Sequence, residues 1–174
     1  GYQGKMVPPF NPSDTDIEKI RQGEIRYNDE DKKFIAGLYD GELSFTDYWV
    51  GVLFDYLKEK NIYDQSLIIL TSDHGEEFWD HNSFEHGHTL YQELLLVPLI
   101  IRFPGGENAG IVVKKRVSLV DLVPSIISYL GIETPSQSTG RSFIQMTGAV
   151  LKPADRPIID EWNRIGEPLE SIYS

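Results

Sequence analysis

The sequence predicts an α/β fold: a layered, mostly parallel sheet with flanking helices. Three observations lead there. Apolar residues recur at three- and four-residue steps at Phe34, Leu38, Phe45, Tyr48, Trp49, Val52, Leu53, Tyr56 and Leu57, the buried stripe of one long amphipathic helix. A short continuous apolar run with β-branched residues at 67–71 reads as a strand covered on both faces, as in a parallel sheet, and 97–103 gives a second strand. Helical spacing then returns at Leu119, Leu122, Val123, Ile126, Ile127 and Leu130, so helices alternate with buried strands.

The elements follow in order. Residues 1–28 are rich in Pro, Asp and Gly and read as a proline-rich arm around the site rather than as core, with a short helix over 13–22 that the Ser13 hydroxyl caps. The long helix is expected over 30–60, with Gly37 or Gly41 as bend points. A turn at 61–65 leads into the first strand, and Pro104-Gly105-Gly106 ends the second. Residues 111–117 read as a third strand, with Lys114, Lys115 and Arg116 protecting a sheet edge. For the helix over 118–130, Ser118 and Asp121 resemble a capping box and Gly131 a stop. A further strand is expected at 156–162.

Composition narrows the function classes. Of 174 residues, 16 are Lys or Arg and 27 Asp or Glu, a formal charge of −11, which opposes a nucleic-acid partner because phosphate neutralisation needs a positive field. The absence of cysteine removes disulfides, thiolate catalysis and Cys-ligated metals, and leaves the compartment open. The longest apolar run, at 94–101, is interrupted by Pro98 and is far short of the ~20 residues of a membrane span. The first ten residues have no apolar signal-peptide core and read like the middle of a longer protein.

All four histidines, His74, His81, His86 and His88, crowd into one short segment with Asp73, Glu76, Glu77, Asp80 and Glu85. That segment leaves the C-terminal end of the first strand, where open α/β sheets place their ligands. A carboxylate and an imidazole there, Asp73 and His74, can share one divalent cation. Glu76, Glu77, Asp80 and His81 are expected to line the entrance or face solvent.

In order along the chain, Thr71-Ser72-Asp73-His74-Gly75-Glu76, His86-Gly87-His88-Thr89-Leu90-Tyr91-Gln92-Glu93, Val97-Pro98-Leu99-Ile100-Ile101 and Pro104-Gly105 closely resemble the second half of the catalytic domain of sulfatases, in the alkaline phosphatase superfamily. Tyr39 to Leu57, with Asp47 and Val50-Gly51, resembles that family's long helix. Val117 to Ser125, Leu130-Gly131-Ile132 and Gly140-Arg141-Ser142 resemble the segment after its sheet strand. The resemblance spans roughly residues 30–145 and implies an alkaline phosphatase-like fold, present as a partial domain. The expected organisation is an arm at 1–28 from mid catalytic domain, the C-terminal half of that domain at 29–150, and the start of a smaller C-terminal region at 151–174.

The resemblance makes Asp73 and His74 ligands of a divalent metal, with calcium first and manganese or zinc as alternatives, since imidazole suits the latter pair better. It makes His86, and with it His88, donors to the sulfate or its leaving group. Asp47 and Asp121 are expected to be helix caps or buried acceptors. The family's nucleophile, a formylglycine made within Cys/Ser-x-Pro-x-Arg, has no counterpart in these residues, and no Gly-x-Ser-x-Gly elbow replaces it.

A fragment of a metal-dependent sulfuric ester hydrolase is therefore expected, inactive alone, with formylglycine in the missing half. Its partners would be a sulfate ester, small molecule or glycan, and either the missing N-terminal half or a second copy. The resemblance suggests an exported, periplasmic or lysosomal location, with a cytoplasmic one possible. The alternatives are a phosphatase, phosphonate hydrolase or phosphoglycerol/phosphoethanolamine transferase of the same superfamily, or a noncatalytic module that binds metal or a partner.

Overall fold

The structure, a computed structural model, describes residues 12–133, 137–145, 150–151, 158–164 and 167–173. The start of the proline-rich arm, through residue 11, and the first two residues of the strand expected at 156–162 lie outside the described residues. The chain divides into two compact units. One holds the described residues through Tyr63 together with His74–His88; the other holds Asp64–Asp73 and the residues from Thr89 onward.

In the first unit, helix α1 (Asp14–Arg21) starts at Ser13 in a capping box, with the Asp16 carboxylate accepting from the Ser13 backbone N–H. The arm is not peripheral, as the composition suggested, because Ile17 and Ile20 of α1 are buried. Helix α2 (Asp29–Glu59) is capped in the same way by Asn28 and Asp31, and its first turn carries Asp29, Glu30 and Asp31 at the positive end of the helix dipole. It continues through Gly37 and Gly41 as a single helix.

Ile20 and Ile35 pack with Phe84, and Ile25, Tyr27, Phe78 and Trp79 close around them. The apolar stripe of α2 is buried only at this N-terminal end. From Leu38 on, Phe45, Tyr48, Trp49, Val52, Leu53 and Tyr56 are exposed, because the apolar cluster of this unit reaches α2 only at Ile35. The aromatics expected in a core therefore pack among themselves, Phe45 and Tyr48 edge-on to Trp49. Asp47 is an exposed residue of this helix rather than a cap.

In the second unit, a short 3-10 turn (Tyr63–Gln65) leads into strand β1 (Ile68–Thr71), which pairs with β4 (Leu99–Arg102). The pairing is antiparallel, with Ile69 opposite Ile101 and Leu70 opposite Ile100. All strand pairs among the described residues are antiparallel: β2 (Glu77–Phe78) with β3 (Phe84–Glu85), β5 (Ile144–Gln145) with β6 (Val150–Leu151), and β7 (Ile158–Arg164) with β8 (Glu167–Tyr173). The mostly parallel sheet expected from the sequence is not what these strands form. A parallel return needs a long crossover, usually helical, whereas the only helix between β1 and β4 is the single turn α3 (Gln92–Leu95). Leu70 and Ile100 are exposed, so the sheet is covered on one face only, as antiparallel sheets allow.

Phe103, Phe143 and Ile144 form the core of this unit, with Leu67, Leu99, Ile101, Val117, Leu122 and Tyr129 against it. Residues 111–117 form no strand. Ile111 and Val113 are exposed and Val112 is 82% exposed, since β-propensity without a neighbouring strand to pair with makes no sheet. The capping box at Ser118 and Asp121 is present and opens a 3-10 turn (Leu119–Asp121) that runs into helix α4 (Leu122–Tyr129), with Gly131 left-handed at φ 70° just beyond. Asp121 is a buried acceptor, as expected: its Oδ1 takes the Arg141 backbone N–H at 2.8 Å. Among the described residues no helix is long and apolar enough to cross a membrane.

Candidate active site

The histidine-rich segment is built on the β2–β3 hairpin. Phe78 and Phe84 are paired across it, and Phe84 inserts into the core with Trp79 stacked on it at 5.0 Å. The turn between them places Trp79 and Asn82 in left-handed backbone and closes with the Trp79 N–H donating to the Ser83 carbonyl at 2.8 Å. The apolar side chains thus fix the hairpin, with His74 before it and His86 and His88 after it.

His74 and His86, far apart in sequence, stack with ring centroids 4.0 Å apart. His86 is 44% exposed, and its Nδ1 faces the Glu76 carboxylate at 3.1 Å. His74 has its Nδ1 at 2.8 Å from the Gly75 carbonyl; a carbonyl only accepts, so Nδ1 is the donor of that bond. His88 is placed differently. Its side chain is only 10% exposed, and its Nε2 lies 3.0 Å from Glu77 Oε2 and 2.8 Å from Ser83 Oγ. His88, expected to share the donor work with His86, thus has its Nε2 engaged inside the unit.

Two further residues hold the backbone of this segment. Arg21, reaching across from α1, donates from one terminal nitrogen to Glu85 at 3.2 Å and to the His86 carbonyl at 3.2 Å. Glu85 itself sits at φ 75°. Glu77, expected at the entrance, is instead fully buried, since its carboxylate is the acceptor for donors of the hairpin. Asp80 and His81 are exposed as expected. The composition of Asp80-His81-Asn82-Ser83 is a turn signal that locates the hairpin, but strands of two residues are too short to show periodicity, and Arg21 has no local signal at all.

Asp73 lies two residues beyond β1 and is exposed, as is His74. A carboxylate and an imidazole are donor types of mixed oxygen and nitrogen character, and each suits a divalent cation. Calcium would need several more oxygen ligands.

The sulfatase family model matches residues 9–132, and the chain belongs to the sulfatase family. It is 35% identical over 138 residues to the multifunctional alkaline phosphatase superfamily protein PehA of Trinickia caryophylli, an alignment covering 78% of this chain and 25% of that protein. It is 29% identical over 127 residues to human arylsulfatase K (Homo sapiens), covering 73% of this chain and 23% of that protein. Among solved structures, the phosphonate monoester hydrolase SpPMH from Silicibacter pomeroyi superposes with a TM-score of 0.70 at 32% identity, covering 80% of this chain and 28% of that one. The chain therefore spans about a quarter of the length of the curated relatives it matches. Its solved neighbours are sulfatases and phosphonate hydrolases of alkaline phosphatase-like fold.

Proposed function

We propose that this chain supplies the metal-binding and leaving-group side of the active site of a sulfuric ester hydrolase. The stacked His74–His86 pair, with Glu76 on His86, carries the reading, because it joins in space two residues that the sulfatase motifs mark separately. Asp73 and His74 would hold the divalent cation, calcium first and manganese or zinc next, whose charge draws electron density from the sulfate oxygens when bound. His86 is oriented through Nδ1 by Glu76, so the protonated ring donates from Nε2 to the ester oxygen. As the sulfur–oxygen bond breaks, the electron pair stays on that oxygen and the Nε2 proton follows it, which is general acid catalysis. His88, bonded to Glu77 and Ser83, is set aside from the ester in this reading.

The nucleophile, a formylglycine in this reading, and the remaining ligands come from residues outside these 174. The chain alone is then inactive, since no covalent intermediate can form. A second reading, hydrolysis of phosphonate or phosphate esters in the same superfamily, is favoured by the likeness to SpPMH and by an imidazole in the metal set, which suits zinc or manganese.

The deciding experiment is kinetic. In the full-length protein, His86→Ala is expected to lower kcat on an aryl sulfate by about 10²- to 10⁴-fold, with a phosphonate monoester assayed beside it. An unchanged kcat overturns the role given to His86, and faster turnover of the phosphonate than of the sulfate selects the second reading. For the metal, calorimetric titration with calcium and manganese should give binding that disappears in an Asp73→Ala/His74→Ala double variant; binding retained in that variant moves the site elsewhere.

A further inference from the structure

Glu77 has no part in the chemistry above, yet no carboxylate of the described residues is more deeply buried. A charge withdrawn from water is costly unless its oxygens are fully bonded. Oε1 accepts the backbone N–H groups of His81 at 3.0 Å and Ser83 at 3.1 Å, closing the hairpin turn. Oε2 lies 3.0 Å from Nε2 of His88, and the Ser83 hydroxyl lies 2.8 Å from the same nitrogen. One side chain thus pins both ends of residues 81–88, and His86 is carried between them.

The tautomer of His88 follows. A ring protonated only at Nδ1 would turn a lone pair on the carboxylate and strand its proton on a nitrogen that is buried without a hydrogen-bond partner among the described residues. The ring protonated at Nε2 gives that proton to Glu77, shared with Ser83 Oγ, and leaves only an acceptor unmatched. Leaving a buried donor without an acceptor while the carboxylate loses its partner is the more costly arrangement. The cluster is also not a second nucleophilic centre. In a Ser–His–Glu relay the hydroxyl and the carboxylate occupy opposite ring nitrogens, and here they share one.

We propose that Glu77 is a positioning residue: through the Ser83–His88 brace it holds residues 81–88 so that the His86 imidazole stays stacked on His74 and bonded to Glu76. This rests on the reading of His86 as the group that faces the ester, and it is independent of whether that ester is a sulfate or a phosphonate.

The test is a double-variant cycle in the full-length protein, with aryl sulfate and phosphonate monoester as probes, combined with long-range proton–nitrogen spectra of selectively ¹⁵N-labelled histidine rings. Glu77→Gln is expected to lower kcat by about 10- to 100-fold, while Glu77→Gln/His86→Ala is no slower than His86→Ala alone. The His88 ring is expected as the Nε2–H form, with that signature lost in Glu77→Gln. Losses that multiply in the double variant, or an Nδ1–H ring in the unmodified protein, overturn the proposal. If His86→Ala has no effect, it is the functional reading that fails, and the ring spectra still decide whether Glu77 sets His88. Where Glu77→Gln does not fold, Ser83→Ala, which removes one hydroxyl from the brace, is read through the same kinetic cycle: a lowered kcat that does not add to the loss in His86→Ala is expected, with the His88 ring still in the Nε2–H form because Glu77 remains, and losses that multiply overturn the proposal.

Discussion

Truncating Arg21 to alanine tests how the His86 segment is held. A single guanidinium nitrogen bonds both the Glu85 carboxylate and the His86 carbonyl, each at 3.2 Å. The ion pair is partly screened, with side chains 15% and 34% exposed, and pairs of this kind are worth up to about 1 kcal/mol. The hydrogen bond from a charged donor to the carbonyl adds roughly 1 kcal/mol at a position open to water. Against this clamp of about 2 kcal/mol stands the left-handed backbone of Glu85 at φ 75°, which costs a residue with a side chain roughly 1–2 kcal/mol. The two nearly balance, so the native conformation of the loop depends on Arg21. Arg21→Ala should raise the opening equilibrium of residues 84–88 by about 30-fold, read as faster amide hydrogen exchange there by mass spectrometry, with α2 as internal reference. Unchanged exchange at 84–88, or an equal acceleration throughout α2, would refute the reasoning.

Three other outcomes are expected. Ser125→Ala removes a fully buried hydroxyl that donates to the Asp121 carbonyl at 2.7 Å and accepts the Phe143 N–H at 3.0 Å; the orphaned N–H should cost about 1–3 kcal/mol in urea unfolding, and no shift in midpoint contradicts it. The Asp16 carboxylate is held below its ordinary value of 3.8 by the Ser13 hydroxyl, then by the Ser13 backbone N–H. Its support of α1 is therefore complete above about pH 4 and is lost as pH falls through the lower folded value, and an Asp16 carboxyl titration by NMR should move back toward the ordinary value in Ser13→Ala, which removes the hydroxyl and keeps the backbone N–H. The exposed face of α2 around Tyr48, Trp49, Leu53 and Tyr56 should bind an apolar-surface dye and drive self-association of the 174-residue chain, both reduced in Leu53→Glu; a clean monomer with low dye binding would argue against it.

The features legible in the sequence are those that neighbours along the chain decide. Ser13 and Ser118 begin helical turns because the acidic side chain three residues on answers their backbone N–H groups. Gly131 ends one because only glycine takes left-handed backbone without penalty. The apolar runs of β1 and β4 likewise announce strands. The ordered motifs from Asp73 to His88 and on to Pro104-Gly105 placed the chain in the sulfatase family, which the match over residues 9–132 bears out.

Tertiary structure decided the rest, because the quantities involved join residues distant in sequence. The direction of β1 against β4 depends on the connection, not on apolar content, and the same apolar content made no strand at 111–117, where no partner runs alongside. The stripe on α2 shows amphipathicity but not what covers it, so most of it stands exposed. At the site, sequence alone put Glu76 and Glu77 together at the entrance. Folding turned one toward the exposed His86 and buried the other, bonded to His88, because Glu76 precedes β2 while Glu77 opens it, and a buried carboxylate persists only where donors converge on it.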